Sequence, residues 1–420
     1  MPWSRDTGFL IFIVIVPLIV LSLQFFLFVK VRRWIREHMG GSRSMLRVAT
    51  SAFLLFNLAL LATIILRPNS RDFPLWFKYA GMYPFLIWHA SSFFIGLILA
   101  LWHLIGSVLK LALKALQWIP SLRRTTEQIR SMPRYARFDA SRRAFLRRSA
   151  VGLAGVTVTG TSYGMFIGRH EYEVTSSEFS IKGLPSEFDG FTIGLISDVH
   201  SGAFMLPSEM REYVKIVNDL GTDLIAIPGD FVNGRVDEVF PFVETFGELR
   251  APYGAYGVLG NHDFYSGDHE RIAKEVTAAG IRVLRDETLD ITRKGSRLTL
   301  VGVDDVGWKN RAPVQLDKAL ETAMDSYTRI LLCHRPYYLD QAASRNVSLV
   351  LSGHTHGGQI VFGKFGNTLL TPAAFVSPYI WGKYSVGATQ MYVSRGIGTV
   401  GLPVRIHCPP EVTKITLRSA

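Results

Sequence analysis

Five short apolar runs between residues 193 and 352 each end in residues that can bind a metal ion. The ends read Asp198-Val199-His200, Gly229-Asp230, Gly260-Asn261-His262-Asp263, Cys333-His334 and Gly353-His354-Thr355-His356. Apolar runs of this length are typical of buried β-strands. Open α/β sheets bind their ligands beyond the carboxyl ends of the strands. We therefore expect the five ends to meet at one place.

The side chains at these ends are carboxylates, imidazoles and one amide, which suit Mn²⁺, Fe or Zn²⁺. The candidate ligands are Asp198, His200, Asp230, Asn261, His334, His354 and His356. Seven ligands are too many for one tetrahedral ion, but they suit two ions that share a carboxylate. The pattern predicts a site for two divalent metal ions, with manganese preferred. The alternative, an incidental polar residue at each strand end, does not account for five such ends in one chain.

The ordered motifs resemble the signature of the calcineurin-like metallophosphoesterases over roughly residues 180–418. The amino-acid sequences at 351–360, 394–398 and 409–411 resemble those of the bacterial membrane-linked phosphodiesterase subgroup, which includes twin-arginine-exported members. The resemblance implies an α/β domain, a four-layer αββα sandwich. Alternating strands and helices support α/β layers, with helices expected at 208–220 and 269–279. The later strands follow one another without helices, so part of the sheet should be mixed.

The resemblance also implies roles for the residues of the site. One metal is held by Asp198, His200, Asp230 and His356, and the other by Asp230, Asn261, His334 and His354, with Asp230 bridging. His262 resembles the non-ligand histidine that contacts phosphate and protonates the leaving oxygen.

Four residues close to these motifs in sequence are further candidates because of their chemistry. Asp263 is placed to hydrogen-bond His262 and orient it, which makes both catalytic candidates. Gln359 follows the last ligand and could bind near the metals. Arg395 and Arg405 are candidates for a phosphate or headgroup contact, because arginine offers bidentate geometry. A salt-bridged or solvated surface arginine remains the alternative for each.

The first part of the chain predicts a membrane domain. Residues 9–29, 48–66 and 79–109 contain no charged residue, and each is long enough to cross a hydrocarbon core of ~30 Å. A partial break is expected near Pro84. The predicted domains are a three-helix membrane domain at 1–110, a basic cytoplasmic linker at 111–148, a fourth transmembrane helix or signal-anchor at 149–168, and the metallophosphoesterase domain at 169–420.

The linker ends in Ser-Arg-Arg-Ala-Phe-Leu-Arg at 141–147. This string resembles the twin-arginine export motif, with Arg142 and Arg143 as the signal pair and the twin-arginine translocase as the implied partner. A basic cluster that happens to precede a membrane helix is the alternative.

The charge is unevenly distributed. Residues 1–168 carry 21 Lys+Arg and 5 Asp+Glu, while 169–420 has a net charge of −4. Because the basic residues lie between apolar spans, they indicate membrane topology, and no nucleic-acid partner is expected. The segments 30–47 and 110–148 are strongly basic, whereas 67–78 carries only Arg67, Arg71 and Lys78. Positive-inside counting therefore places the amino terminus and the catalytic domain outside the cytoplasm, in a multi-pass protein of a bacterial inner membrane.

The sequence thus predicts a membrane-anchored phosphohydrolase, a metal-dependent phosphodiesterase or pyrophosphatase in which the metals activate water. Its partners would be a phosphate-ester substrate, lipid-linked or from the envelope, and membrane lipids. The run Asp230-Phe231-Val232-Asn233 lacks the Asp-Arg pair of many phosphoprotein phosphatases. A phosphomonoesterase and a non-catalytic membrane sensor or scaffold remain the alternatives. Cys333 and Cys408 are expected to be small buried residues, with a disulfide between them as the alternative.

Overall fold

The computed structural model describes residues 5–66, 73–305, 312–321, 328–366 and 368–420. The chain divides into two compact units, Met1–Ser162 and Tyr163–Ala420. Arg67 and Arg71, which entered the topology prediction, lie outside the described residues.

The first unit is helical. Its α-helices are α1 (Arg5–His38), α2 (Arg43–Leu66), α3 (Leu75–Phe77), α4 (Tyr83–Leu116), α5 (Pro120–Ser131) and α6 (Pro133–Tyr163). Within the described residues, four helical stretches are long and apolar enough to cross a membrane, namely Val14–His38, Arg43–Leu66, Leu75–Leu116 and Ala144–Gly168. These stretches match the four predicted spans. The break expected near Pro84 is a π-helical turn at Lys78–Met82, just before α4.

A polar contact joins the apolar helices of this unit. The side chains of Gln24 on α1 and His89 on α4 lie 2.6 Å apart, and the indole of Trp88 donates to Gln24. Phe56 of α2 stacks on Trp88 with ring centroids 4.6 Å apart. His89 therefore has a packing role between helices.

The predicted linker at 111–148 is not a separate segment. It contains the end of α4, all of α5 and the first half of α6. The twin-arginine-like string lies inside α6, because no glycine or proline interrupts the chain between Pro133 and the apolar stretch that follows. Arg142 is exposed on this helix, and the side chain of Arg143 lies outside the described set.

The second unit contains two six-stranded sheets and a small hairpin. The strands of the first sheet are β1 (Glu173–Ile181), β2 (Thr192–Leu195), β3 (Leu224–Pro228), β4 (Ala255–Val258), β5 (Ile281–Val283) and β14 (Glu411–Ser419). Those of the second are β6 (Glu287–Arg293), β7 (Ser296–Gly302), β8 (Arg329–Leu332), β9 (Leu349–Ser352), β12 (Gly382–Val386) and β13 (Thr389–Val393). The hairpin pairs β10 (Gly363–Phe365) with β11 (Thr368–Leu370).

Both sheets are mixed, as predicted. The first has the order β1-β14-β2-β3-β4-β5, in which only the β14–β2 pair is antiparallel. The second has the order β12-β13-β9-β8-β7-β6, with antiparallel pairs at its two edges. The ligand-bearing strands β2, β3 and β4 are neighbours in one sheet, and β8 and β9 are neighbours in the other.

Helices cover the sheets. The helices of this unit are α7 (Pro207–Asp219), α8 (Val239–Phe246), α9 (Asn261–Tyr265), α10 (His269–Ala278), α11 (Ala312–Leu320) and α12 (Leu339–Ala343). The two helices predicted from sequence are α7 and α10. One apolar cluster joins α7, α8 and α10 to the first sheet, and another joins α11 and α12 to the second.

A third apolar cluster contains side chains from both sheets, including Leu195 of β2 and Leu351 of β9. The two sheets therefore share one core, which fixes the ends of their strands relative to each other. Cys333 and Cys408 are buried and free, as the default interpretation expected.

Candidate metal centre

The seven predicted ligands follow the carboxyl ends of five strands and lie together. Asp198 and His200 follow β2, Asp230 follows β3 and Asn261 follows β4, all in the first sheet. His334 follows β8, and His354 and His356 follow β9, in the second sheet. The expected convergence is therefore found, but it takes place between two sheets and not at the edge of one.

Four of the residues form a first cluster. The ligand atoms of Asp198, His200, Asp230 and His356 all lie within 4.8 Å of one another. The Nε2 atoms of His200 and His356 are 3.0 Å apart, and Asp230 Oδ2 lies 3.4 Å from His200 Nε2. All four residues are buried.

The second cluster surrounds His334. Its Nε2 atom lies 3.2 Å from Asp230 Oδ2, 3.0 Å from Asn261 Oδ1 and 3.1 Å from His354 Nδ1. Its other ring nitrogen, Nδ1, lies 2.9 Å from the carbonyl oxygen of Pro228 and donates to it, which directs the lone pair of Nε2 toward the cluster. Asp230 is the residue that both clusters share.

The donor set of the first cluster fits a divalent cation. Burial lowers the pKa of His200 to about 3 and takes the pKa of His356 well below its ordinary value. Both imidazoles are therefore neutral, which is the form that binds metals. A neutral ring has one nitrogen lone pair in its plane, and the Nε2 atoms of these two rings face each other and the carboxylates.

The charges of the second cluster also fit a divalent cation. Burial would lower the pKa of His334, but the carboxylate of Asp230 raises it to about 10. Burial would raise the pKa of Asp230, but His334, His262 and His200 take it well below its ordinary value. Burial raises the pKa of Asp198 to about 6. Two buried carboxylates need a compensating positive charge, and a divalent cation held between Asp230 and a neutral His334 would supply it.

The predicted ligands sit on strained backbone. Five of the seven have positive φ angles, namely Asp198 (52°), His200 (48°), Asp230 (56°), His354 (74°) and His356 (51°). Each such residue costs about 1–3 kcal/mol and persists only where the surrounding structure holds it. The strain turns side chains that follow a strand toward one point.

Two glycines make room for the carboxylates. A Cβ atom at Gly260 would overlap Asp230 Oδ1, and one at Gly353 would overlap Asp198 Oδ2 and the Ser197 hydroxyl. Gly260 and Gly353 therefore allow the loops after β4 and β9 to approach the carboxylates of Asp230 and Asp198.

His262 lies beside the first cluster, with its ring centroid 4.6 Å from that of His200. Its Nδ1 lies 2.6 Å from the carbonyl oxygen of Asn233, which can only accept. Nδ1 therefore carries a proton, and Nε2 is left to face a substrate.

The expected hydrogen bond from Asp263 to His262 is wrong. The Asp263 carboxylate accepts from the backbone N–H groups of Asp230, Val232 and Gly260 at 2.8–3.1 Å. Asp263 therefore fixes the loops that carry Asp230 and Asn261, while the carbonyl of Asn233 orients His262.

Glu238, which the sequence did not single out, supports that carbonyl. Its buried carboxylate accepts from the backbone N–H groups of Asn233, Gly234 and Arg235 at 2.9–3.0 Å. No sequence motif marks it, because all its partners are backbone groups. The 233–235 turn and His262 thus depend on one acid that lies outside the recognised motifs.

The three proposed substrate contacts are structural. Gln359 uses its amide on the backbone of Val400 and Leu402, at 2.6–3.2 Å. Arg395 is buried and pairs with Glu173 at 2.7 Å and Glu411 at 3.1 Å. In the part of the chain that the structure describes, Arg405 donates to the backbone carbonyl oxygens of Arg395, Gly396, Gly398 and Cys408. The prediction that these residues bind substrate is corrected, since each side chain is already engaged.

Asp304 and Asp305, a carboxylate pair outside the motifs, are ion-paired. Asp304 bonds Arg285 at 2.8 Å and Asp305 bonds Arg335 at 2.9 Å. Because Arg335 directly follows His334, the second pair steadies a ligand.

Replacing Asp263 with asparagine is expected to weaken metal binding about 10–100-fold, the usual cost of losing a partner behind a ligand. The amide places an N–H₂ group against backbone N–H donors, so the loops of Asp230 and Asn261 shift. Titration with Mn²⁺ against a fluorescent chelator measures the change. Asp290→Asn, at a strand remote from the ligands, is the matched control. An unchanged Mn²⁺ affinity in Asp263→Asn would contradict this role.

The fold and the site together define a metal-dependent hydrolase built on an α/β domain. Residues 191–358 match the calcineurin-like phosphoesterase family. Over 290 residues the chain is 32% identical to the metallophosphoesterase YkuE of Bacillus subtilis, covering 66% of this chain and 98% of YkuE. The chain belongs to the calcineurin-like metallophosphoesterases, and the predicted enzyme class, a metal-dependent phosphoesterase, is confirmed.

Other relatives are named as transmembrane proteins. A transmembrane protein with metallophosphoesterase domain from Danio rerio is 32% identical over 63% of this chain. The chain spans 62% of the length of that relative. A solved structure, TT1561 of Thermus thermophilus, covers 50% of this chain at 17% identity with a TM-score of 0.35, and 90% of its own length is matched. Since the relatives are both bacterial and vertebrate, membership of the bacterial twin-arginine subgroup stays a prediction.

Proposed function

We propose that this chain is a membrane-anchored phosphodiesterase or pyrophosphatase that works with two divalent metal ions. The observation that carries the proposal is the pair of ligand clusters that share Asp230. Asp198, His200, Asp230 and His356 would hold one ion, and Asp230, Asn261, His334 and His354 the other. Manganese is the metal we expect first, with iron and zinc as alternatives.

Two bound cations would activate a water molecule and offset the negative charge of the phosphate group. The remaining work falls to residues of the chain. Asn261 contributes a neutral oxygen, which keeps the negative charge of the ligand set low, so that a phosphate anion can approach. His262 lies beside the first cluster, and its imidazolium form, with a proton on each ring nitrogen, would donate the Nε2 proton to the leaving oxygen while Nδ1–H stays on the Asn233 carbonyl.

The charge of the site favours a diester. A phosphate monoester carries up to two negative charges, a diester one. Arg395 and Arg405, the arginines that could have clamped a dianion, are engaged elsewhere in the described structure. The run after Asp230 also lacks the Asp-Arg pair of phosphoprotein phosphatases.

The cellular setting is part of the same proposal. Four apolar helices support membrane anchoring, and the basic segments 30–47 and 110–148 support an extracytoplasmic catalytic domain in a bacterial inner membrane. Two sheets with a shared core and helices on both outer sides support the four-layer αββα arrangement. Lipid or envelope phosphodiesters are the proposed substrates, and export by the twin-arginine translocase through Arg142 and Arg143 is the proposed route.

The test compares bis-p-nitrophenyl phosphate with p-nitrophenyl phosphate. The purified full chain is stripped of metal and resupplied with Mn²⁺, Fe²⁺ or Zn²⁺ in separate samples. Metal-dependent cleavage with preference for the diester is the expected result. Preference for the monoester would indicate a phosphomonoesterase. Binding of two metals without turnover of either ester would overturn the proposed activity and favour a sensor or scaffold.

His262→Asn is expected to lower kcat about 10²–10⁴-fold, the usual range for a general acid, with both metals still bound. Because the lost proton matters most for poor leaving groups, the loss should shrink for a p-nitrophenolate ester and grow for an alkyl ester. Steady-state kinetics on both esters, with metal content measured in parallel, checks this. A loss of equal size for both esters would contradict proton donation. His269→Asn is the matched control, at the start of α10.

A further inference from the structure

A hairpin close to the metal centre exposes large apolar side chains to solvent. It consists of β10, β11 and the 3₁₀ turn Pro372–Phe375 that follows. The exposed fractions are 84% for Phe365, 53% for Leu370, 95% for Phe375 and 74% for Val376. Folded soluble domains rarely leave such a group of apolar side chains together in water, and those that do use it for binding.

The neighbouring aromatic residues behave differently. Tyr379 and Tyr384 pack on each other with ring centroids 5.0 Å apart, and Trp381 lies against Arg395. These three side chains therefore pack against neighbouring residues of the second unit. Phe365 and Phe375, which precede Tyr379 in the chain, are by contrast exposed.

Backbone hydrogen bonds connect the hairpin to the end of the fourth apolar helix. The N–H of Val361 donates to Ile406 at 3.0 Å, just before β10. The N–H of Arg405 donates to Gly164 at 3.0 Å. Gly164 belongs to the stretch Ala144–Gly168, which is apolar and long enough to cross a membrane. Within the second unit, the hairpin therefore lies next to the segment by which the catalytic domain would be tethered to a bilayer.

The charge around the hairpin suits a lipid surface. No Asp or Glu occurs between Asp340 and Glu411, while Lys364 lies on the hairpin itself. Lysine near a bilayer is attracted to anionic headgroups, and its aliphatic stem can lie among the acyl chains. No acidic group of the hairpin segment opposes that approach.

We propose that this hairpin inserts its exposed apolar side chains into the headgroup region of the bilayer that anchors the chain. We favour the bilayer over a second protein as the occupant of this surface. A surface held beside the membrane by a short connection meets lipid at high effective concentration. Apolar side chains with one basic residue are the composition of interfacial anchors. The inference rests on the proposed membrane anchoring and not on the proposed hydrolysis.

The base of the hairpin contacts the turn that carries the predicted ligand His356. The Thr371 hydroxyl, at the base of the hairpin, lies 3.4 Å from the carbonyl oxygen of Gly358 and donates to it. Gly358 ends the 3₁₀ turn that begins with the ligand His356. A hairpin held in the headgroup region thus fixes the metal ligands close to lipid phosphates, and a phosphodiester would reach the site from the membrane surface.

The test measures the depth of the hairpin in lipid. Phe365→Cys and Phe375→Cys are prepared separately in the full chain, which is reconstituted in vesicles of phosphatidylcholine and phosphatidylglycerol. Each cysteine is labelled with a fluorophore in detergent before reconstitution, and the label is afterwards quenched by nitroxide lipids or by aqueous iodide. Ser344→Cys is the matched control, because it is exposed and precedes β9 at the end remote from the ligands. Unlabelled wild type reports any reaction of the buried Cys333 and Cys408.

Labels at 365 and 375 are expected to lose most of their fluorescence to shallow nitroxide lipids and little to iodide, with the reverse at 344. Quenching of all three labels by iodide alone would overturn the inference. Protection of 365 and 375 from both quenchers would also overturn it and indicate a protein partner or a second copy. Resistance of the chain to alkaline carbonate extraction reports the anchoring by itself. Extraction of the chain would refute the anchoring and the inference with it, while leaving the hydrolysis proposal to the ester assay.

Discussion

Asp230→Asn should eliminate the activity and the paired binding of metal together. Asp230 Oδ2 lies 3.2–3.4 Å from the Nε2 atoms of His334 and His200, one in each cluster. Its Oδ1 accepts the backbone N–H of His262 at 2.8 Å. An amide at this position removes the negative charge that both clusters share and can turn an N–H₂ group toward their lone pairs. We expect kcat to fall by more than about 10³-fold, beyond the usual loss for one electrostatic contact.

Metal content separates this prediction from a general loss of folding. The wild-type chain should bind two equivalents of Mn²⁺ after dialysis, and Asp230→Asn at most one, by elemental analysis. Excess Mn²⁺ should not restore kcat. Asp219→Asn on α7 is the matched control, because Asp219 is exposed and its pair with Lys215 is a surface ion pair of small value. A variant that keeps two metals and the wild-type rate would refute the bridging role of Asp230.

The convergence of the seven candidate ligands could be predicted from sequence because the information is local. An apolar run followed by Asp, His or Asn indicates a strand end, and strand ends gather where ligands bind. That argument needs no knowledge of which strands pair, so it held although Asp230 and His334 come from different sheets. The spans of the first unit were equally accessible, because length and hydropathy alone decide them.

The orientation of His262 could not be predicted. Its partner is the carbonyl of Asn233, a group that every residue possesses. Asp263 was an attractive partner because it is adjacent in sequence, but successive side chains on the short helix α9 do not face each other. The positive φ angles at Asp198 and His356 were hidden for a similar reason, since tertiary packing imposes them against local preference.

The burial of Arg405 and the exposure of the hairpin could not be predicted, because residue type alone suggests the reverse for both. Arg405 looked like a phosphate contact because arginine near a phosphoesterase motif has that chemistry. In the structure it is fully buried, while Phe365 and Phe375, which resemble core residues in sequence, are exposed. Residue type predicts burial on average, and functional surfaces are where the average fails.

Arg405→Met should destabilise the catalytic unit strongly, because the guanidinium holds a loop together from inside. Arg405 is 0% exposed, and it donates to the carbonyls of Arg395, Gly396, Gly398 and Cys408. Methionine fills a similar volume but offers no donor. Each buried carbonyl left without a partner costs about 1–3 kcal/mol, so we expect a loss of at least about 3 kcal/mol in the free energy of unfolding.

The same loop clamps the first ligand, so stability and metal binding should fall together. The N–H of Gly398 donates to the carbonyl of Asp198 at 2.8 Å, and that of Ile397 to Ser197 at 3.0 Å. A loss of about 3 kcal/mol corresponds to a fall in melting temperature of roughly 6–12 °C for a unit of this size, measured by differential scanning fluorimetry in detergent. Arg418→Met, at a surface pair with Glu178, is the matched control. Arg405→Lys should lie between Arg405→Met and wild type, because it restores a charge and one or two donors but not the planar fork. An Arg405→Met chain that melts like wild type would show that these carbonyls find other partners, and Arg405 would then lose its structural role.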